Sequence, residues 1–532
     1  HEQAVRPSLE EIRDVYIPTH LPPEHRELPV VICVCIGGEI KEPVRLNLSS
    51  YESERTTARL TYQEWTGDEL ASRIETAFLR EELLPAQVRP NLRKALALLD
   101  EPAASARHFK ALVRDLTAQA SEDEAVRLIA LRQLALCLWV LYAWCREAGN
   151  MESAYQSAEL ALLHGWNLLR ANTNERPIPA ELSSAFGSIF EAYIRTTRVF
   201  LQENVVPHTG KRHGLSFGIS AASWVDVNLG MFDLIGRLAT AGIWRLWAAA
   251  AARATNSEVG ELMEAEVQAL ASAIAETVMN NPCLFSPVMD EHVIDVSLAA
   301  LVLCGADRRS DAVAWLQGIL DRSLFALRFG GPYPCTLHDY ADLLEHPART
   351  DEEYRKDVTA GSVMYPMIAL WCALLGDHQT FERIATAKRE LLAHCHFQLW
   401  YPDDESEASL YTGGSNHGGV LTARVEGSPT DFIDQVFREA DRSPGFRELS
   451  AIRFGWEPLV AVACRHHRLP VPVNFLEGLR PRGDSPANPN AESAAEHGDA
   501  GTVGESLQSP SEVEATGEGP VSDEVSTEGA RG

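Results

Sequence analysis

The chain is poor in lysine, with six in 532 residues, and poor in positive charge altogether: 47 Lys and Arg stand against 75 Asp and Glu, a formal charge of −28. So acidic a surface repels phosphate backbones, which argues against a broad nucleic-acid-binding face. Long apolar runs are also missing. The longest, Leu134 to Cys145, is about half the span a bilayer requires, and no basic and apolar leader precedes a small-residue cleavage site. The ten cysteines lack the short, regular spacings of a disulfide framework and fall mostly inside apolar segments. Together these absences speak against secretion and membrane insertion and lead us to expect a reducing, cytoplasmic location. Arginine supplies nearly all the basic charge, a bias we read as coding background rather than chemistry. The chain opens at His1 rather than Met, so it reads as processed or as a fragment.

What is present is enough for a sizeable core: 45% hydrophobic and 8% aromatic residues, over a length that suggests two to four domains. Residues 1–88 read as a small α/β module. Pro29 to Ile36 is a continuous apolar, β-branched run ended by Gly37 and Gly38, the pattern of a strand buried on both faces. Val44, Leu46 and Leu48 alternate with polar residues, as do Leu60 and Tyr62 on the way to Trp65. Thr66-Gly67-Asp68-Glu69 is a capping box that predicts a helix carrying Leu70, Ile74, Ala77 and Phe78. The expected order is β-β-β-α.

From Arg89 to about Leu469 the hydrophobic period is helical. It predicts helices over 89–99, 104–119, 122–148, 152–170, 180–203, 220–254, 256–280, 290–304, 309–327, 361–375, 378–398, 431–440 and 447–466. Several are apolar around most of their circumference and must be packed on several sides. The fold class we expect is mainly α, an irregular bundle of helical hairpins over 89–470 with a subdomain break near 205–220 or 328–350. From Pro481 eleven acids face two arginines with no aromatic residue, and we expect 481–532 to be a disordered acidic tail. Its Arg482-Gly483-Asp484 matches an adhesion tripeptide by chance.

Candidate chemistry is sparse. Gly214-Leu215-Ser216-Phe217-Gly218 has the spacing of a nucleophile elbow, whose glycines permit the turn that exposes a serine hydroxyl. Pro207 to Gly214 before it reads as a loop, where that motif needs a buried strand, so Ser216 is a weak hydrolase candidate. His394, Cys395 and His396 near Cys372, and His338-Asp339 with His346, supply zinc-type ligands, but residues two apart on a helix point away from each other. Asp403, Asp404, Glu405 and Glu407 before the loop Tyr411 to Gly419 could hold a hard cation with loop carbonyls, yet show no calcium-loop spacing. His394, His396, Asp403 and Asp404 are thus the metal candidates, and we expect no metal and no cofactor, since no Walker or dinucleotide fingerprint occurs. Cys33 and Cys35 read as small core residues. Arg465-His466-His467-Arg468 reads as a basic helix C-terminus complementing the dipole.

Two stretches resemble known families. Gly149-Asn150-Met151-Glu152-Ser153-Ala154, continuing to Ala158, Ala161 and Leu162, with Leu138, Leu141 and Tyr142 before it, resembles a tetratricopeptide hairpin. The Trp, the second aromatic and the closing Pro of that family are missing, and the corners at Gly305 and Gly376 lie out of its period. The apolar strand from Pro29, the strand into Trp65 and the helix opened by Thr66 resemble the closing part of a restriction-endonuclease-like domain of bacterial defence proteins. That resemblance implies a truncated or inactive nuclease, because the family's Mg²⁺-binding carboxylates and Lys would lie upstream of His1, and none of its catalytic residues is carried over. The expected function is a non-catalytic helical scaffold of the bacterial cytoplasm that binds protein partners, with the nuclease and the Ser216 hydrolase as alternatives.

Overall fold

The computed structural model describes residues 2–22, 25, 28–35, 42–65, 84, 86, 88–118, 123–171, 178–255, 257–414 and 418–481. The helix expected from Thr66 and the acidic tail after Pro481 lie outside the described residues. The chain divides into two compact units, His1–Arg93 and Lys94–Gly532.

In the first unit, helix α1 (Glu2–Glu11) runs on through a wider helical turn, Ile12–Tyr16. Strand β1 (Val30–Cys35) is followed by helix α2 (Glu42–Arg55) and strand β2 (Leu60–Trp65). The two strands pair in parallel, Val30 opposite Leu60 through Cys35 opposite Trp65, which requires a crossover, and α2 is that crossover. The third expected strand is therefore corrected: Val44, Leu46 and Leu48 lie on α2. Leu46 is 71% exposed, while Leu48 and Tyr51, one helical turn apart, face the core. Nor is β1 buried on both faces. Ile32 and Val34 pack with Leu9 and Tyr51, whereas the alternate residues, Cys33 and Cys35, are half-buried and exposed rather than core.

The second unit is mainly α. Helix α3 (Arg89–Ala97) leads into it, and α4 (Pro102–Ala118), α5 (Glu124–Ala148), α6 (Glu152–Arg170) and α7 (Ala180–Thr197) form its first layer. By length and composition α5 could cross a membrane. Its Leu131, Leu134, Leu138 and Leu141 are instead fully buried, and the helix packs on both α6 and α7, as the core helix of a folded domain does. Asp123 caps its first turn by accepting from the Ala125 N–H at 2.8 Å. Gly149 ends it at φ +70°, its N–H and that of Asn150 donating to the carbonyls of Arg146 and Cys145, and the chain turns straight into α6.

A second layer comprises α8 (Trp224–Thr255), α9 (Ser257–Asn280), α10 (Val293–Gly305) and α11 (Arg309–Phe329), with α8 against both α9 and α10. A short sheet then interrupts the helices. Gly361–Ser362 (β3) pairs in parallel with β4 (His396–Tyr401), which pairs antiparallel with β5 (Gly419–Thr422). Around it lie α12 (Met364–Leu374), α13 (His378–Glu390) and α14 (Pro429–Arg442). The helix expected over 378–398 thus ends at Glu390, because β4 needs the backbone of His396 onward for pairing. The one expected over 447–466 is broken by Gly455 at φ +70° and Pro458, leaving α15 (Pro458–His467) as a separate helix.

Helix α15 packs on α6, α8 and α10, so it joins the two layers, and every residue from Pro458 to Arg465 is buried. Trp456 just before it is ringed by Trp166, Phe186, Phe190, Trp244 and Trp247, with ring centroids 5.1 to 6.1 Å away. Trp166 and Trp247 donate their indole N–H groups to Ser450 Oγ and the Gly455 carbonyl. The tight α5–α6 corner yields a prediction. Gly149→Val forces a β-branched residue into the left-handed region and should lower stability by about 1–2 kcal/mol, read as a lower denaturant midpoint by circular dichroism.

Candidate functional site

The charged residues of α15 would be costly to bury alone, and each meets an opposite charge delivered from another helix. Arg465, 5% exposed, donates Nη2 to Glu159 Oε2 on α6 and Nη1 to Asp233 Oδ1 on α8 at 2.7 Å. Glu159, itself 1% exposed, also meets His466 Nδ1 at 3.2 Å. Arg237, one turn beyond Asp233, makes a two-pronged pair with Glu152 and a 2.6 Å contact to Asp233, and lies over the rings of Tyr155 and Phe200. Arg468 pairs with Asp295 at 2.9 and 3.1 Å and with Glu291 at 3.0 Å. Gly236 allows this convergence. A Cβ there would stand 3.0 Å from Arg465 Cδ and collide with Asp295 Oδ1.

Of these side chains, Glu159, Asp233, Arg237, Arg465, His466 and Arg468 line a cavity of about 350 Å³ between α4, α6, α8 and α15. Arg107 and Lys110, exposed and one turn apart on α4, line it too. Burial acts to raise the Glu159 carboxyl, but Arg465 and His466 outweigh it and hold the group down at about 2. Burial raises Asp295 despite Arg468. Nearby histidines are kept neutral: burial, and then the charge of His466, pushes His164 down to about 4 and His467 to about 3. The arrangement can hold a charged group by matched hydrogen bonds in a partly desolvated setting. It has no nucleophile set against a base.

The residues singled out in the sequence are dispersed. Ser216 lies in a short turn before α8 with no strand leading into it; its hydroxyl donates to the His213 carbonyl at 3.2 Å and its N–H to Asn281 Oδ1. His394, in the turn after α13, contacts Thr359 Oγ1 through Nε2 at 2.8 Å, and His396 opens β4 with an exposed side chain. Asp403 accepts from Ser406 Oγ and the Glu405 N–H, and Asp404 is exposed. Glu407, expected in a solvated acidic loop, is taken up by Ser450, Tyr411 and Arg170. His346 is engaged at both nitrogens, by the Tyr333 carbonyl and the Tyr354 hydroxyl, while His338 is exposed. Among the described residues no three His, Cys, Asp or Glu side chains gather as metal ligands, and all cysteines are free. A larger surface recess of about 500 Å³ is rimmed by acids such as Asp342, Glu345 and Asp357, and one of them, Asp351, already caps a helix through the Tyr354 N–H.

The reading of Arg465 to Arg468 as a simple basic helix end is corrected, since the first, second and fourth of these residues reach carboxylates on other helices. Comparison with protein-family models, curated proteins and solved structures gave no match.

The buried network generates two predictions. Arg465→Ala strips Glu159 of its guanidinium partner, leaving only His466 against a buried carboxylate, and should cost about 3–5 kcal/mol of stability in a denaturant titration. His164 supplies the second. Its folded pKa is depressed, so its contribution is complete above the unfolded value of 6.5 and is lost as the pH falls toward 4, because the unfolded chain takes up a proton that the folded chain refuses. Asp290 works in the opposite sense: burial lifts it to about 6, and its contribution fades as the pH rises from the unfolded value of 3.8. The two are separated by comparing the native chain with His164→Gln. The native chain should lose about 1.4 kcal/mol more per pH unit between pH 6.5 and 4.

Proposed function

We propose that the helical unit is a non-catalytic scaffold for protein partners and that the cavity between α4, α6, α8 and α15 is where it receives an acidic group of the partner. The observation that supports this reading is the placement of Arg107 and Lys110. Both stand exposed beside the cavity, and among the described residues neither makes a hydrogen bond or ion pair, whereas the arginines beneath them are already paired. Unspent cations over a neutralised floor attract an anion without having to break existing pairs. A chain carrying −28 repels acidic partners elsewhere, so a local cationic spot would select where such a partner docks. Helical layers suit the task, since their grooves hold side chains free to specialise.

The test uses synthetic peptides of acidic, phosphorylated and neutral sequence, titrated by fluorescence anisotropy against the full chain. Acidic peptides should bind, more weakly as salt rises, and the double variant Arg107→Glu, Lys110→Glu should weaken them by at least about tenfold, or 1.4 kcal/mol. Both residues are exposed, so the fold should persist. Binding that ignores both charge reversals, or no binding of any acidic peptide, overturns the reading.

A further inference from the structure

Resting on the reading of the cavity mouth as a receiver of acidic groups, we infer that its occupant in the free chain is the chain's own acidic segment Glu512–Glu528, docked along the outer face of α4. The lining of the cavity sets Arg107, Lys110, Arg237, Arg465 and Arg468 against two carboxylates, Glu159 and Asp233. The basic surface continues beyond it. Arg107, Lys110 and Arg114 are spaced three and four apart, so they stand on one face of α4 over about 10 Å, opposite the buried Phe109, Leu112 and Leu116. All three are exposed, and among the described residues none of their side chains makes a hydrogen bond or ion pair. The row borders the same group of side chains as the cavity: after burial and His466, the charges of Lys110 and Arg114 also act to hold His164 neutral.

The sequence supplies a matching counterpart. From Glu512 to Glu528 there are six acids, Glu512, Glu514, Glu518, Asp523, Glu524 and Glu528, and no basic residue. Such a run is attracted to the one row of unspent cations on α4 and repelled by the acidic surface around it. Its reach is sufficient. The body of the chain ends near Arg480, which meets Asp434 and Asp441 and lies over the Phe437 ring on α14. Roughly thirty residues separate that point from Glu512, and at about 3.3 Å each they extend to about 100 Å. A folded unit of this length has a radius of gyration on the order of 20 Å, so the segment can reach any of its faces. Tethering presents it at an effective concentration on the order of 1 mM, so weak ion pairs suffice to fill the face, and an acidic partner must displace it.

A carbodiimide joins a lysine amine to a carboxylate only where the two already touch, and the chain has six lysines. The full chain is mixed in dilute solution with isotope-labelled chain, treated and digested, and the joined peptides are read by mass spectrometry. Lys110 should couple to Glu512–Glu528 within one chain, and more than any other lysine does. Arg107→Glu with Arg114→Glu leaves Lys110 in place, is exposed and so should spare the fold, and should cut that product at least about tenfold. Salt at about 1 M, where the Debye length is about 3 Å, should abolish it. A second measurement removes the tail charges from the full chain, with Glu512→Gln, Glu514→Gln, Glu518→Gln, Asp523→Asn, Glu524→Gln and Glu528→Gln together. That variant should bind acidic peptides about tenfold more tightly than the native chain. Coupling spread evenly over the lysines, coupling mainly between labelled and unlabelled chains, a Lys110 product indifferent to the charge reversals, or peptides bound equally tightly with and without the tail acids overturns the inference and leaves the acidic-partner reading standing. If acidic peptides bind neither form, the partner reading falls, and the coupling of Lys110 alone decides the docking of the tail.

Discussion

The meeting of Arg465 with Glu159 and Asp233 sets the constraint under which the helical unit is built. A guanidinium and a carboxylate lose several kcal/mol of hydration each when buried, and geometry must return it. Here the three groups come from α15, α6 and α8, with Arg465 306 positions along the chain from Glu159 and 232 from Asp233. Geometry that exact demands that three helices stop at fixed heights, and the packing supplies it: Gly236 lets α15 and Asp295 approach α8, and the aromatic ring around Trp456 anchors the segment entering α15. The pair is weak support for stability in itself. Its effect is to permit one register of the layers and penalise others, since any slip leaves a charge alone.

That constraint also explains why the cavity is polar. Where two helical layers are joined by a third element, a gap is usually filled with leucine or methionine. Here the joining helix ends in Arg-His-His-Arg, so the space beside it is lined with charge and cannot close by hydrophobic collapse. The surrounding histidines are held neutral by burial, which keeps further positive charge out of the interior while leaving Arg107 and Lys110 as the exposed cations beside the cavity.

Most helices were legible because long amphipathic or all-apolar segments with caps and glycine corners admit no other reading; α5 and α6, with Asp123 before and Gly149 between, are the plainest. Short elements were not. Val44 to Leu48 alternates over five residues, too few to separate a strand from a helix whose inward face is Leu48 and Tyr51. Strand β4 follows α13 with no glycine or proline to mark the change, and its aromatic run was absorbed into the helix before it. The site was partly visible. Glu159 interrupts a segment in which Ala158, Leu160, Ala161 and Leu162 are all apolar, and Arg465 directly follows Val460 to Cys464; an ionised group in such a run must find a counter-charge. What the sequence could not give is that the two answer each other, because pairing across 306 positions depends on how the layers stack.

The same logic links occupancy of the cavity to the fold. Glu159 lines the cavity and holds α15 through Arg465 and His466, so a group bound beside it acts on the residue that keeps α15 in place. A ligand that binds only the folded arrangement stabilises it by mass action, and here the stabilisation enters at the junction of the layers rather than at a peripheral loop. Rim charges on α4 belong to the first layer, Asp233 to the second and Arg465 to the helix between them. A group touching all three would therefore favour the closed register over any loosened one, and recognition and architecture would share one set of hydrogen bonds.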